Sequence, residues 1–154
     1  RPITESSHVV IVARDYAEKY TGATNLEEAC CIIHDHGALI AGVTDGANGS
    51  YFVWPDGTAF RCQPFPQASV VDTTGAGDSF HGAFLSKLAV SIRQENALYG
   101  EFIKPIDILQ SLDHKQLESS AIFASAVSAL NTQGVGGRSA LPSLKSACNL
   151  AGLE

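Results

Sequence analysis

Asp72-Thr73-Thr74-Gly75-Ala76-Gly77-Asp78-Ser79-Phe80 decides how this chain reads, and the neighbouring segments arrange themselves around it. Small residues entering a helix let backbone N–H groups converge on an anion, helped by the positive end of the helix dipole. A carboxylate at that mouth repels phosphate, so Asp78 is misplaced if the loop only binds. It fits a group that accepts the proton of a hydroxyl attacking a phosphate, which is the demand of phosphoryl transfer. The competing reading is a Gly-rich turn with a helix-stabilising aspartate in the first turn.

Upstream, His8-Val9-Val10-Ile11-Val12-Ala13 is a short apolar, β-branched run that predicts a buried parallel strand. A helical turn through Tyr16–Tyr20 follows and stops at Gly22. Asn25 is a good N-cap for a helix from Leu26 to about Asp35, with Glu27 and Glu28 in its first turn. Leu39–Thr44 reads as the next strand, and Ser50–Trp54 and Thr58–Gln63 flank a Pro55-Asp56-Gly57 hairpin turn. Thr44-Asp45-Gly46-Ala47-Asn48-Gly49 ends a strand in a way that can wrap a nucleotide, although such a stretch is more often only a turn.

Downstream, helical spacing of Phe80, Ala83, Phe84 and Leu88 predicts a helix from Ala76 to about Val90. Residues 91–106 read as a polar connection, followed by a short helix over 106–112. A long helix over 115–130 is rich in small residues (Ala121, Ala124, Ser125, Ala126, Ser128) that allow close packing. Gly134-Val135-Gly136-Gly137 is a loop, and Ser143 caps a last short helix. Strand, helix, strand, hairpin and helices make an α/β layering.

The 154 residues are 45% apolar and 17% charged, enough for a single globular domain with a real core. A net charge of −6 with no basic cluster argues against a nucleic-acid partner. No apolar run reaches the roughly 18 residues of a membrane span, and no signal-peptide pattern opens the sequence. Cys30, Cys31, Cys62 and Cys148 lack metal-ligand spacing and read as free thiols of a cytoplasmic protein. The five histidines offer no metal set, and no Walker A loop occurs.

Val71 through Phe80, continued by His81-Gly82-Ala83-Phe84, resembles the C-terminal signature of the PfkB, or ribokinase-like, carbohydrate kinases. The resemblance implies a ribokinase-like three-layer α/β sandwich, of which residues 1–154 form the C-terminal ATP-binding and catalytic portion. That portion is expected to hold a mainly parallel sheet, a β-hairpin and flanking helices, with the N-terminal half and the small β lid absent. It implies Asp78 as catalytic base and the amides of Gly75, Ala76 and Gly77 as the anion hole. Thr44, Gly46 and Gly49 would line the ATP phosphates and ribose, and Ser125 and Gly136 would lie by the adenine. Ser125 stands where relatives often carry Asn or His. Asp72 and Thr74, with carbonyls near Thr132 and Gly137, would hold a potassium ion, but relatives usually have Thr-Arg where this chain has Gln133-Gly134.

Another departure lies at the end of the first strand. Ribokinases carry Asn-x-x-Glu there, and this chain has Ala13-Arg14-Asp15-Tyr16. The resemblance therefore leans toward the fructose- and ketohexose-type branches. It implies ATP with Mg²⁺, a small-molecule sugar as acceptor, and association either with a second copy or with the missing N-terminal half. Two alternatives stay open: a nucleotide-binding module or inactive fragment without turnover, and a nucleoside kinase of the same superfamily. A half-sheet would also leave an unpaired strand edge.

Overall fold

A computed structural model describes residues 3–67, 69–99 and 103–153. After a single 3-10 turn (Ile3–Ser6), β1 (Val9–Ala13) runs directly into α1 (Arg14–Thr21). Then come α2 (Leu26–Asp35), β2 (Ile40–Thr44) and the hairpin β3 (Ser50–Val53) and β4 (Ala59–Cys62). Four helices follow: α3 (Ala76–Tyr99), α4 (Pro105–Ser111), α5 (His114–Asn131) and α6 (Leu144–Ala151).

The sheet is mixed, in the order β1-β2-β3-β4. β1 and β2 run parallel, Val9 opposite Ile40 and Ala13 opposite Thr44. β2 to β3 and β3 to β4 are antiparallel. Parallel pairing is thus confined to β1 and β2 among the described residues, because the hairpin returns the chain alongside β2. β1 has no second strand partner there, which leaves the expected open edge.

Alternation along the strands divides the core between two faces. On one face Val10, Ala41, Val43 and Val53 meet Ala17 of α1 and Leu26, Ala29, Cys30 and Ile33 of α2. On the other, Ile40, Phe52, Trp54 and Cys62 meet Phe80, Phe84 and Leu88 of α3 and Leu117, Ala121 and Ala124 of α5. The result is a helix–sheet–helix sandwich. Phe52, fully buried, stacks on Trp54 at 5.1 Å and on Phe84 at 5.4 Å between ring centroids. Gly42 makes room for it: a Cβ there would sit 2.6 Å from the Phe52 ring. The buried alanines of α5 let α3 approach closely, as their small size leads one to expect.

Local chemistry sets several boundaries. The Asn25 side chain accepts the Glu28 N–H at 2.8 Å, and Gly22 closes α1 in the left-handed conformation. Asp113 and Gln116 form a reciprocal capping box that starts α5. In the β3–β4 turn, Asp56 accepts the Thr58 N–H and meets His114 of α5 at 2.8 Å. Those contacts, the Thr58 amide first, hold the Asp56 carboxyl down to about 2.

One predicted boundary is corrected. Residues 91–99 are not a connection but the last turns of α3. Their polar residues make up the solvent face of a helix whose other side carries buried Ser91 and core-packed Ile92. Glu95, on that stretch, accepts a hydrogen bond from Gln116 of α5 at 2.8 Å. The helix therefore continues as long as the core side is covered.

Candidate active site

The 72–78 loop is built from its own backbone outward. Asp72 accepts the Thr74 N–H on Oδ1 and the Gly136 N–H on Oδ2, both at 2.8 Å. Thr132 O in turn accepts the N–H groups of Val71 and Asp72, at 2.8 and 3.1 Å. These bonds sew the loop to the segment after α5. Gly75 takes a left-handed φ of +76° and lies against Gly137 so closely that a Cβ would sit 2.5 Å from the Gly137 Cα. Only glycine serves at that position.

The Ala76 N–H closes the turn onto Thr73 O at 3.1 Å, and the Ser79 N–H opens α3 by bonding Gly75 O at 2.9 Å. Among the described residues, the N–H groups of Gly75, Gly77 and Asp78 have no acceptor. Of the three amides expected to form an anion hole, that of Ala76 is spent on the turn, and those of Gly75 and Gly77 are joined by that of Asp78 in lacking an acceptor among the described residues. Asp78 projects an exposed side chain from the first turn of α3.

The Asp72 carboxyl is held below its ordinary value of 3.8, first by the Thr74 amide and next by that of Gly136. A folded value below the unfolded one stabilises the loop at neutral pH, and that contribution is lost as pH falls through the folded value. On acid titration followed by NMR, the Thr74 and Gly136 amide signals are expected to move together, with a midpoint below the ordinary carboxylate value.

His81, one turn beyond Asp78, fixes where this loop sits. Its Nδ1 contacts Gly77 O at 2.7 Å and its Nε2 contacts Ile11 O of β1 at 2.8 Å. The start of α3 is thereby pinned over β1, beside the carboxyl ends of the parallel pair, where α/β sheets bind ligands. His81→Ala should lower stability by about 1–2 kcal/mol in a thermal melt, the scale of one or two net hydrogen bonds. Thr44, at the end of β2, donates to Val12 O at 3.4 Å.

Beyond Thr44 the chain makes a compact 3-10 turn (Gly46–Asn48), closed by the Asp45 N–H on Gly49 O at 2.8 Å and the Gly49 N–H on Gly46 O at 3.1 Å. Gly46 and Gly49 both have positive φ, and Gly49 presses against Cys62 O and Pro64. Arg14 reaches this turn from the end of β1, bonding Asp45 at 3.2 Å and Glu18 at 2.7 Å. An open polar basin of about 650 Å³ flanks the turn on the α1–α2 side, with Arg14, Asn25, Asp45, Asn48, Arg61 and Gln63 around it.

One face of α5 ties the separate pieces together. Ser125 Oγ donates to Gln63 O at 3.5 Å, Ser128 Oγ to Ala76 O at 2.8 Å, and Asn131 Nδ2 to Gly137 O at 3.1 Å. Gly49 adjoins the Cys62–Pro64 segment, so the Thr44–Gly49 turn, Ser125, the 72–78 loop and Gly136–Gly137 form one contact chain. Gly136 itself offers no free amide, since Asp72 takes it. Arg14, His81, Ser128 and Asn131 had no assigned role in the sequence. The available signal for two of them was Ser125, Ser128 and Asn131, three apart, in the otherwise apolar second half of α5.

A helix–sheet–helix sandwich with a small-residue loop opening a helix at the carboxyl end of parallel strands is the layout expected of the ribokinase-like α/β class. The sequence pattern of the pfkB family carbohydrate kinases matches residues 2–144, and the chain belongs to that family. It is similar to 5-dehydro-2-deoxygluconokinase of Bacillus subtilis, 36% identical over 102 residues, which is 64% of this chain and 31% of that protein. It is 35% identical over 105 residues to inositol 3-kinase of Oryza sativa, covering 65% of this chain and 24% of that protein. Its fold matches a double mutant of fructokinase from Vibrio cholerae O395 crystallised with fructose, ADP and potassium ion. The TM-score is 0.76 at 23% identity, covering 97% of this chain and 42% of the fructokinase. The chain spans less than a third of those curated relatives and under half of that structure. No helix of the described residues is long and apolar enough to cross a membrane.

Proposed function

We propose that this chain carries the ATP side and the catalytic base of phosphoryl transfer to a hydroxyl of a sugar or polyol. The observation that carries the reading is the group of amides at Gly75, Gly77 and Asp78, unbonded among the described residues, with an exposed carboxylate at the same helix start. The amides receive the charge on the transferring phosphate. Asp78 takes the proton of the acceptor hydroxyl as its oxygen bonds to the γ-phosphorus, while the bond to the bridging oxygen of ADP breaks. Donors fixed in place before reaction need no reorganisation as charge develops.

Thr44, Gly46 and Gly49 line the nucleotide's phosphates and ribose, and Ser125 flanks the adenine beside Gln63. The donor set fits a nucleotide's phosphates, and Mg²⁺ held by those phosphates supplies charge neutralisation when bound. The acceptor contacts belong to the part of the relatives' length that this chain does not span. That part would continue the sheet at the open edge of β1, next to an apolar groove of about 310 Å³ lined by Val9, Leu85, Leu88, Ile92 and Leu109.

The test is a calorimetric titration with ATP and Mg²⁺, followed by phosphate transfer over ketohexoses, inositol, ribose and nucleosides. ATP binding by this chain is the expected result, with transfer to a sugar or polyol once the part of the relatives' length that it does not span is supplied. Binding with no transfer to any acceptor even then favours a nucleotide-binding module, and transfer to nucleosides alone moves the chain to the nucleoside branch. No ATP binding overturns the proposal.

A further inference from the structure

Asn131, the last residue of α5, is fully buried, and its carboxamide is spent on two backbone carbonyls. Nδ2 donates to Gly137 O at 3.1 Å and reaches Gly75 O at 3.5 Å. Oδ1 is buried with no partner among the described residues. Turning the amide over would aim its oxygen at both carbonyls and forfeit both bonds, so this orientation is chemically fixed. An unpaired buried acceptor is costly, and a native protein that keeps one needs a reason for it.

The reason lies in what the two carbonyls belong to. Gly75 is the left-handed hinge of the 72–78 loop, and Gly137 is the backbone packed against it. Two carbonyl oxygens approaching one point repel each other unless a positive group lies between them. The partial positive charge of an –NH₂ is there. The four groups expected to hold potassium are also largely engaged from within the chain. Asp72 accepts two amides, Thr132 O accepts two, and Gly137 O accepts the Asn131 amide.

We propose that Asn131 is a positioning residue whose carboxamide bridges the Gly75 and Gly137 carbonyls and holds the 72–78 loop in its converging geometry, the work a bound monovalent cation would otherwise do. The inference rests on the phosphoryl-transfer reading of that loop, but its test does not use ATP. Asn131→Asp keeps the shape, removes both donors and gathers carboxylate and carbonyl oxygens around one point, an arrangement that itself attracts a cation.

Amide exchange at Ala76, Ser79 and Gly136, all hydrogen-bonded in the loop, is followed by NMR. Wild type and Asn131→Asp are compared in potassium chloride and in tetramethylammonium chloride of equal ionic strength. Wild type should exchange equally in both salts. The variant should exchange about three- to tenfold faster in tetramethylammonium, the scale of one net hydrogen bond, and potassium should restore most of the difference. The β2 amides should not change. A merely structural Asn131 gives faster exchange with no potassium-specific recovery, and that result overturns the proposal. So does potassium slowing exchange at these amides in the wild type, a measurement that needs no folded variant. If the predicted pattern holds in a chain that binds no ATP, the bridge stands and the phosphoryl-transfer reading falls.

Discussion

Asp78→Asn is expected to lower phosphoryl transfer by about 10²–10⁴-fold while leaving ATP affinity close to wild type. The side chain is exposed at the first turn of α3, and among the described residues no protein group hydrogen-bonds to it. Its charge supports the fold only through the exposed start of the α3 dipole, so the substitution should move the melting curve only slightly. Asparagine is nearly isosteric and leaves the Asp78 backbone N–H in place. What it removes is the proposed proton acceptor, together with a negative charge at the start of α3. Rate and affinity should therefore separate: the turnover falls, and the ATP dissociation constant holds or tightens slightly. The measurement is transfer to the best acceptor of the panel beside calorimetry on the same preparation. A variant with unchanged turnover would contradict the base assignment.

Gly75→Ala is the second large effect, and it acts through backbone. A left-handed φ in a residue with a Cβ costs roughly 1–3 kcal/mol. At Gly75 that strain adds to a collision with the Gly137 Cα, carbonyl carbon and oxygen. Backbone on both sides cannot turn away as a flexible side chain could, so the 72–78 and 132–137 segments must part. The variant should melt earlier by at least that strain, and it should lose ATP binding because the amides no longer converge. Gly77→Ala is the matched control. A Cβ at Gly77 meets nothing within 4 Å, and the residue lies inside α3. There alanine should be neutral or up to about 1 kcal/mol more stable, with ATP affinity retained.

How much of this was legible in the sequence depended on where the determining chemistry lies. Asn25 and Ser143 declare helix starts because a cap acts within three residues, and both caps form. Gly22 and the Pro55–Gly57 turn are equally local, and so is the alternation that buries Val43 and Phe52 on opposite faces of the sheet. The polar stretch 91–99 misled because an exposed helix face and a loop share a composition, and only the packing of Ser91 and Ile92 distinguishes them. The Asp113–Gln116 box was a readable signal at the start of α5 that composition alone passed over.

In the site, the Asp72–Phe80 pattern located the loop, the helix start and the carboxylate. The resemblance named the amides of Gly75, Ala76 and Gly77 together, but which of them closes the turn is a matter of backbone geometry. His81 illustrates the limit more sharply. Its second contact is 70 residues away in sequence, at Ile11 O. The same holds for Ser128 and Asn131, whose partners are brought to α5 by the fold as a whole.

Under the proposed function the 72–78 loop receives the transferring phosphate, and Thr44–Gly49 line the rest of the nucleotide. The most direct measurement maps backbone amide shifts by NMR as ATP with Mg²⁺ is added to the chain. The largest changes are expected at Gly75, Gly77 and Asp78, followed by Thr44–Gly49 and Ser125. Largest changes around the Arg14–Arg61 basin, with the Gly75, Gly77 and Asp78 amides unmoved, would contradict it.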